Sequence, residues 1–210
     1  ANELFKDYGL VILDANDKEL KKQFIPFIKD ELVNQTSFKN VSETNNQINE
    51  LPNQPYGIQV NPREINLFYI TENLRERFLF ENDVYKVNNT SISWSQSEIL
   101  QHLDEVPERF SPNVIMRPLY QEVVLPNLCY IGGGGELAYW FQLKQFFNKV
   151  EVPFPILVLR NSVLIQSEDQ NKKLHNLNVS HEDIFLKRNA FINKKVRDIS
   201  NIDIDFSAQK

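Results

Sequence analysis

The sequence contains very little cysteine and histidine and has no excess of positive charge. With one cysteine among 210 residues, no intrachain disulfide can form, which is typical of a protein from a reducing compartment. The three histidines and the cysteine show no metal-ligand spacing, so we predict no metal site. A formal net charge of −5 argues against nucleic acid or an anionic membrane as the main partner.

Long apolar runs are also missing. No stretch of eighteen apolar residues occurs, and the segment beginning at Ala1 lacks a signal-peptide pattern. We therefore expect a cytoplasmic protein that does not enter a membrane. A hydrophobic content of 41% is enough for one good core, or for one core with a small appendage.

Glycine is rare as well, but four of the six glycines stand together at Gly132–Gly135. They follow Leu128–Ile131, an apolar run of strand length, and precede apolar residues at helical spacing. The pattern predicts a strand, a glycine turn and the start of a helix. In such a turn backbone N–H groups can approach a ligand closely, and the helix dipole favours an anion there.

The glycine run matches neither common phosphate-binding motif. No Gly-Lys-Ser/Thr follows it, and Leu137 replaces the third glycine of the dinucleotide fingerprint, so a tight crossover is an alternative interpretation. Two neighbours favour a binding site: Arg117 follows the strand-like run Val114–Met116, and Arg160 follows Ile156–Leu159. Because ligands collect beyond the carboxyl ends of strands in α/β sheets, we predict an anion pocket of Arg117, Arg160 and Gly132–Gly135.

Four further residues are candidates for this pocket because of their position in the chain. Gln121 lies one helical turn after Arg117, and it either contacts the ligand or pairs with Arg117. Glu136 either positions an amine or satisfies the helix dipole, and Tyr139 either contacts the ligand or packs in the core. Arg63 is either a solvated charge in a polar turn or a third cationic contact. We assign no catalytic residue.

Shorter signals outline the rest of the chain. We predict a buried strand at Gly9–Leu13 and then a helix capped by Asp17, with Pro26 as a kink or as the start of a second helix. Residues 35–54 predict a helical excursion, and Ser95 begins a capping box. Short strands are expected at 58–60, 67–71, 78–80, 84–87 and 162–165.

Two isolated side chains have structural rather than catalytic interpretations. Cys129 lies in an apolar strand without a nearby histidine, and we expect it to be a buried small hydrophobe. His102 lies on the helix that follows Ser95 and is expected to be structural or solvated.

Several of these segments resemble one known family, the bacillithiol biosynthesis cysteine-adding enzymes. The resemblance lies in Phe110-Ser-Pro-Asn-Val, Arg117-Pro-Leu-Tyr-Gln-Glu, Gly132-Gly-Gly-Gly-Glu, Ala138-Tyr-Trp and Pro155-Ile-Leu-Val-Leu-Arg160. Upstream it includes Gly9-Leu-Val-Ile-Leu-Asp14, Asn61-Pro-Arg-Glu-Ile-Asn-Leu-Phe-Tyr69 and Arg75-Glu-Arg77. Members of the family are much longer, so the resemblance implies an internal fragment.

The expected fold class is α/β, with a Rossmann-like, mostly parallel sheet flanked by helices, an inserted small β-rich subdomain and a helical C-terminal tail. Residues 1–56 would form the second part of the α/β core with its helical excursion, and residues 57–95 an inserted β-rich connector. Residues 96–166 would form the α/β core with the glycine turn. Residues 167–210 would form a helical tail leading toward a coiled coil.

The resemblance implies part of a ligase that adds L-cysteine to glucosaminyl-malate. Amide formation requires an activated acyl group, so ATP or another nucleotide is expected from the chemistry. A protein thiol is not needed, because the substrate cysteine is a free amino acid. The family's coiled coil implies a homo-oligomer, and we expect the isolated fragment to be inactive.

Two other function classes remain open from the sequence. A nucleotide-sugar- or carbohydrate-binding transferase domain could use the same arginines at the edge of an α/β sheet. A non-catalytic assembly module of a larger enzyme could instead use the same central segment to pack a subunit interface.

Overall fold

The chain begins with helices and not with the predicted strand. In a computed structural model, which describes residues 1–53 and 56–200, helix α1 covers Asn2–Phe5 and a 3₁₀ helix covers Lys6–Tyr8. Residues 10–14 have no regular structure, and the Val11 side chain is 66% exposed. The prediction of a buried strand at Gly9–Leu13 is therefore wrong for this structure. A strand needs a neighbour for its backbone hydrogen bonds, and no described strand pairs with this segment.

Two helices follow, α2 at Lys18–Asn34 and α3 at Thr36–Asn49. The Asp17 carboxylate caps α2 as predicted, accepting hydrogen bonds from the backbone of the first turn. Pro26 lies inside α2, which continues through it, so the alternative of a second helix starting there is excluded. The predicted helical excursion is confirmed at Thr36–Asn49, and its last predicted residue, Gln54, lies outside the described residues.

The larger sheet is antiparallel throughout. Its strands are β1 (Leu67–Ile70), β2 (Arg75–Glu81), β3 (Val84–Val87), β4 (Ser93–Trp94) and β5 (Phe110–Pro112), in the order β4-β3-β2-β1-β5. Four of the five strand pairs in the described part of the chain are antiparallel, so the predicted mostly parallel sheet is not confirmed.

Two of the five short predicted strands do not form, one before β1 and one in the second unit. The strand expected at 58–60 is absent, because the backbone N–H groups of Gln59 and Val60 donate to the side chain of Gln142 and not to another strand.

The α/β part contains one parallel strand pair. Helix α4 (Gln96–Glu105) precedes β5, and helix α5 (Arg117–Val124) follows it. Strand β6 (Cys129–Gly132) then leads into helix α6 (Gly134–Lys149), which returns the chain to β7 (Ile156–Leu159) beside β6. The predicted strand, glycine turn and helix are thus confirmed. Arg160 follows β7 as predicted.

Two predictions fail in this region. Val114–Met116 forms a turn and not a strand. Cys129 is exposed and not buried, because β6 is paired only with β7 and its apolar neighbours are also exposed, Leu128 at 91% and Ile131 at 66%.

The hydrophobic core joins the helices to the antiparallel sheet. Its largest fully buried members include Trp140, Tyr69, Tyr85, Phe24, Phe110, Phe146 and Phe147. His102 belongs to this packing: its ring stacks on Trp94, and its Nε2 lies 3.0 Å from the Tyr69 hydroxyl. The structural interpretation of His102 is confirmed.

The second unit begins at Asn161, directly after Arg160. It contains helix α7 (Glu168–Asn176), a 3₁₀ helix at Asp183–Phe185 and helix α8 (Arg188–Ile199). The strand predicted at 162–165 is absent, since those residues have no regular structure and are exposed. The helical tail is confirmed as far as Ile199, and residues 201–210 lie outside the described residues. None of the helices in the described part is long and apolar enough to cross a membrane.

Candidate functional site

The glycine turn is closed by its own glutamate. Glu136, in the first turn of α6, accepts a hydrogen bond of 2.7 Å from the backbone N–H of Gly133. This contact is half of a capping box, and it satisfies one donor at the start of the helix. Of the two roles considered for Glu136, the structure therefore shows the one that neutralises the helix dipole. The hydrogen bond from Gly133, together with smaller contributions from Tyr130 and Arg160, lowers the pKa of Glu136.

Other side chains approach the backbone closely at two of the four glycines. A Cβ atom at Gly132 would lie 2.7 Å from Cε1 of Tyr130, and one at Gly133 would lie 3.2 Å from Nη2 of Arg160. At Gly134 an added Cβ would meet no atom within 4 Å. The turn is thus packed on one side and open at the first residue of α6.

Arg160 lies over this turn. Its backbone N–H donates to the carbonyl oxygen of Gly132 at 2.9 Å, and its Nη1 is 3.9 Å from Oε2 of Glu136. The side chain is 66% exposed, so the guanidinium is held near the glycine backbone while most of its donors face solvent.

Arg117 is positioned by different secondary-structure elements from those we predicted. It is the first residue of α5, and its backbone N–H donates to the carbonyl oxygen of Asn113. The Asn113 side chain accepts a hydrogen bond of 2.8 Å from Ile115, which fixes the turn before the helix. The Arg117 guanidinium donates to Gln121 Oε1 at 3.1 Å, one helical turn further on. The prediction that Arg117 follows a strand is wrong, because a turn and a helix start position it.

Tyr139, on helix α6, reaches the turn before Arg117. Its hydroxyl donates a short hydrogen bond to the carbonyl oxygen of Val114, in the turn before Arg117. Burial raises the pKa of Tyr139 to about 12, although the nearby Arg117 guanidinium acts in the opposite direction and Tyr130 adds to the rise. The phenol therefore stays protonated at neutral pH.

Tyr130 completes this arrangement and was not among the predicted residues. Its hydroxyl donates to Oε1 of Glu136 at 3.3 Å, and its proximity adds to the rise in the pKa of Tyr139. Arg117, Tyr139, Tyr130, Glu136 and Arg160 thus form a group of neighbouring polar side chains, which we call the tyrosine string; no hydrogen bond joins Tyr139 to Tyr130 in the described part of the chain. The sequence signal for Tyr130 was its position two residues before Gly132, on the same side of β6.

Arg63 does not join this string. Its backbone N–H donates to Oδ1 of Asn66, which also accepts from the Asn113 side chain, so the two regions share a hydrogen-bond network. The Arg63 side chain itself lines another cleft, together with Arg77 of β2. Among the described residues, no group of three or more histidine, cysteine or acidic side chains could hold a metal ion.

Comparison with known proteins places this chain in one family. Residues 1–161 match the model of the bacillithiol biosynthesis BshC N-terminal Rossmann-like domain, and residues 163–210 match that of the BshC C-terminal coiled-coil domain. A protein of Flavobacterium johnsoniae named "Putative cysteine ligase BshC" is 57% identical over all 210 residues, and one of Christiangramia forsetii with the same name is 58% identical. A Bacillus cereus protein of that name is 36% identical over 190 residues, which are 88% of this chain and 34% of the relative.

The chain is shorter than these relatives. It spans 39% of the length of the Flavobacterium johnsoniae protein and 38% of that of the Christiangramia forsetii protein.

Proposed function

We propose, since this chain belongs to the bacillithiol biosynthesis BshC family, that it supplies the anion-binding wall of a cysteine ligase. The reaction would join the carboxyl group of L-cysteine to the amine of glucosaminyl-malate, forming an amide. The observation that supports this most strongly is the meeting of Arg117, Arg160 and the glycine turn along the tyrosine string. Because the chain spans less than half of its relatives, other segments would complete the site, and we expect the isolated chain to be inactive.

Arg117 is proposed to bind a carboxylate of the malyl group. Its guanidinium is exposed, oriented by Gln121, and without an acidic partner among the described residues. A planar guanidinium binds a carboxylate with two parallel hydrogen bonds, and such charge-assisted contacts are stronger than neutral ones.

The other end of the string suits a second anionic group. The Arg160 guanidinium lies beside Gly133, and an added Cβ at Gly134 would meet no atom within 4 Å. Gly134 and Gly135 stand in the first turn of α6, where backbone N–H groups have no partner inside the helix. These residues fit a phosphate or carboxylate oxygen, and we propose that they would hold the phosphates of ATP or another nucleotide. When bound, such a nucleotide would supply activation of the cysteine acyl group.

The two ionisable groups between the arginines would orient substrate without exchanging protons at neutral pH. Glu136, with its lowered pKa, stays ionised and can accept a hydrogen bond from an ammonium group. Tyr139, with its raised pKa, remains a neutral phenol whose proton is already donated to Val114. Neither group is suited to act as the general base, since an efficient base titrates near the working pH.

We further propose that the complete protein is a cytoplasmic homo-oligomer. The match of residues 163–210 to a coiled-coil domain supports association through that region.

The test uses the complete protein with Arg117→Ala, Arg160→Ala and, as a matched control, Arg188→Ala on helix α8. We expect the affinity for glucosaminyl-malate, measured by calorimetry, to fall about ten- to a hundredfold in Arg117→Ala, since a hydrogen bond to a charged group contributes about 1.5–3 kcal/mol. Cysteine addition, followed by mass spectrometry, should fall with it in both site variants and stay unchanged in the control.

Unchanged cysteine addition in Arg117→Ala would overturn the assignment of this residue. A complete protein that binds none of glucosaminyl-malate, cysteine and ATP would instead favour the assembly module.

A further inference from the structure

A second pair of arginines lies outside the tyrosine string. Arg63, in the turn before β1, and Arg77, on β2, line a cleft of about 270 Å³. The buried side chain of Ile65 and the strand residues Phe78–Glu81 form the rest of its wall.

Neither guanidinium of this cleft has a protein partner. Among residues 1–53 and 56–200, the side chains of Arg63 and Arg77 make no hydrogen bond and no ion pair. Nε of Arg77 is buried from solvent and still lacks an acceptor. A buried donor that is left unpaired costs about 1–3 kcal/mol, and more when it is charged, so a missing acceptor is the simplest explanation.

The neighbouring arginine shows that this situation is particular to the cleft. Arg75 lies two residues before Arg77 on the same strand, and its guanidinium stacks over the ring of Phe68 with 3.9 Å to the centroid. Arg75 thus has a partner within the protein and does not line the cleft. It provides a matched comparison for Arg77.

The charges around the cleft leave the arginines in excess. Of the two acidic residues that line it, Glu81 is already paired with Lys86 at 3.0 Å. Glu64 is exposed and has no bonded partner in the described part of the chain. Among the described residues, the exposed carboxylate of Glu64 is therefore the one unpaired acidic group that lines the cleft, against two guanidinium groups. The cleft thus offers a net positive charge to a ligand.

We propose that this cleft is a second anion site, which binds a small phosphate or carboxylate group between Arg63 and Arg77. Its volume is below the range of about 300–1,000 Å³ that is typical of sites enclosing a drug-sized ligand. The cleft therefore suits a single oxyanion group and not an entire nucleotide. The guanidinium forks supply the donors, and the bound oxygen would accept from Nε of Arg77.

This proposal does not depend on the proposed ligase activity, so its test measures binding alone. In the complete protein, the ¹H–¹⁵N signal of Arg77 Nε–H is followed while inorganic phosphate or malate is added. We expect a saturating shift of this signal with at least one of the two anions, and the preferred anion identifies the chemical source of the group.

Variants decide whether the shift comes from the cleft. In Arg63→Gln we expect the dissociation constant from the Arg77 signal to rise about tenfold or more, whereas in Arg75→Gln it should remain as in the wild type. Arg63 is exposed, so its replacement should leave the fold intact even if Arg77→Gln does not fold. Absence of a saturating shift with both anions, or equal binding in Arg63→Gln and wild type, would overturn the proposal.

Discussion

Replacing Gly132 with alanine tests how tightly the glycine turn is packed. The new Cβ would lie 2.7 Å from Cε1 of Tyr130, closer than a Cβ contact allows, and 3.1 Å from Cβ of Glu136, which is a tight contact. Tyr130 cannot move freely, because its ring packs against Trp140 with 4.7 Å between centroids. Overpacking of this kind costs about 1–3 kcal/mol. We therefore expect the free energy of unfolding to fall by about 2 kcal/mol in Gly132→Ala.

The assay is urea denaturation followed by tryptophan fluorescence. The chain has two tryptophans, so a Trp94→Phe background leaves Trp140 beside the displaced ring as its reporter. Gly134→Ala is the matched control, because its Cβ meets no atom within 4 Å and its backbone is helical. Such a change stabilises a helix by about 0.4–1 kcal/mol. If Gly132→Ala unfolds at the same urea concentration as the wild type, the turn adapts freely and our reasoning about it fails.

The same pair of variants separates packing from ligand approach. If an anion contacts the backbone of Gly134, the methyl group of Gly134→Ala should weaken substrate binding without lowering stability. Gly132→Ala should lower both, because the displaced Tyr130 would also lose its hydrogen bond to Glu136. Wild-type binding in Gly134→Ala would contradict the proposed contact.

Two buried charged groups give further predictions, both measured by urea denaturation over a pH series. Glu31 accepts four hydrogen bonds from Ser37 and Asn66, so Glu31→Gln, which turns an amide donor toward them, should reduce stability by about 1–3 kcal/mol. Burial raises the pKa of Glu31, so the stability advantage of the wild type over this variant should grow as the pH falls toward the ordinary glutamate pKa of about 4.3. A difference in the free energy of unfolding that does not change with pH would contradict the direction of this pKa shift. Burial also lowers the pKa of Lys21, which donates to the carbonyl oxygen of Phe110, to about 8. Compared with Lys21→Met, the wild type should gain stability as the pH rises from about 8 to 10.5, because only its unfolded state binds the proton there, and parallel pH profiles would refute this.

Features with local causes could be predicted from the sequence. Asp17 and Ser95 cap their helices with their own side chains, and the glycine run begins α6 because its position between an apolar run and a helical pattern is a local signal. The position of Arg160 could also be predicted, because this residue directly follows an apolar strand.

Features that depend on distant partners could not be predicted in this way. An apolar run such as Gly9–Leu13 has strand character, but it becomes a strand only where another strand accepts its hydrogen bonds. The exposure of Cys129 has the same origin, since burial of β6 depends on what covers it and not on its own residues. The direction of pairing was also missed, because short apolar runs look alike in parallel and antiparallel sheets.

The candidate site shows how residues can be brought together by a topology that was not predicted. We expected Arg117 to follow a strand of the same sheet as Arg160. It is instead the first residue of α5, and the start of this helix positions it. Tyr130 had a sequence signal in its position two residues before Gly132, but the contact of Tyr139 with Val114 depends on tertiary packing and not on sequence spacing.

The electrostatic balance along the tyrosine string also explains why this surface should attract anions. Arg160 has an acidic neighbour in Glu136, but the two are 3.9 Å apart and their side chains are 66% and 50% exposed, so their attraction is largely screened by solvent. The main partner of the Glu136 carboxylate is the backbone N–H of Gly133, which donates a hydrogen bond to it. The side-chain partners of Arg117 among the described residues, Gln121 and Tyr139, are both neutral at neutral pH. These guanidinium groups therefore keep donors that no close ion pair neutralises among the described residues, and this is the reason we propose an anion site here.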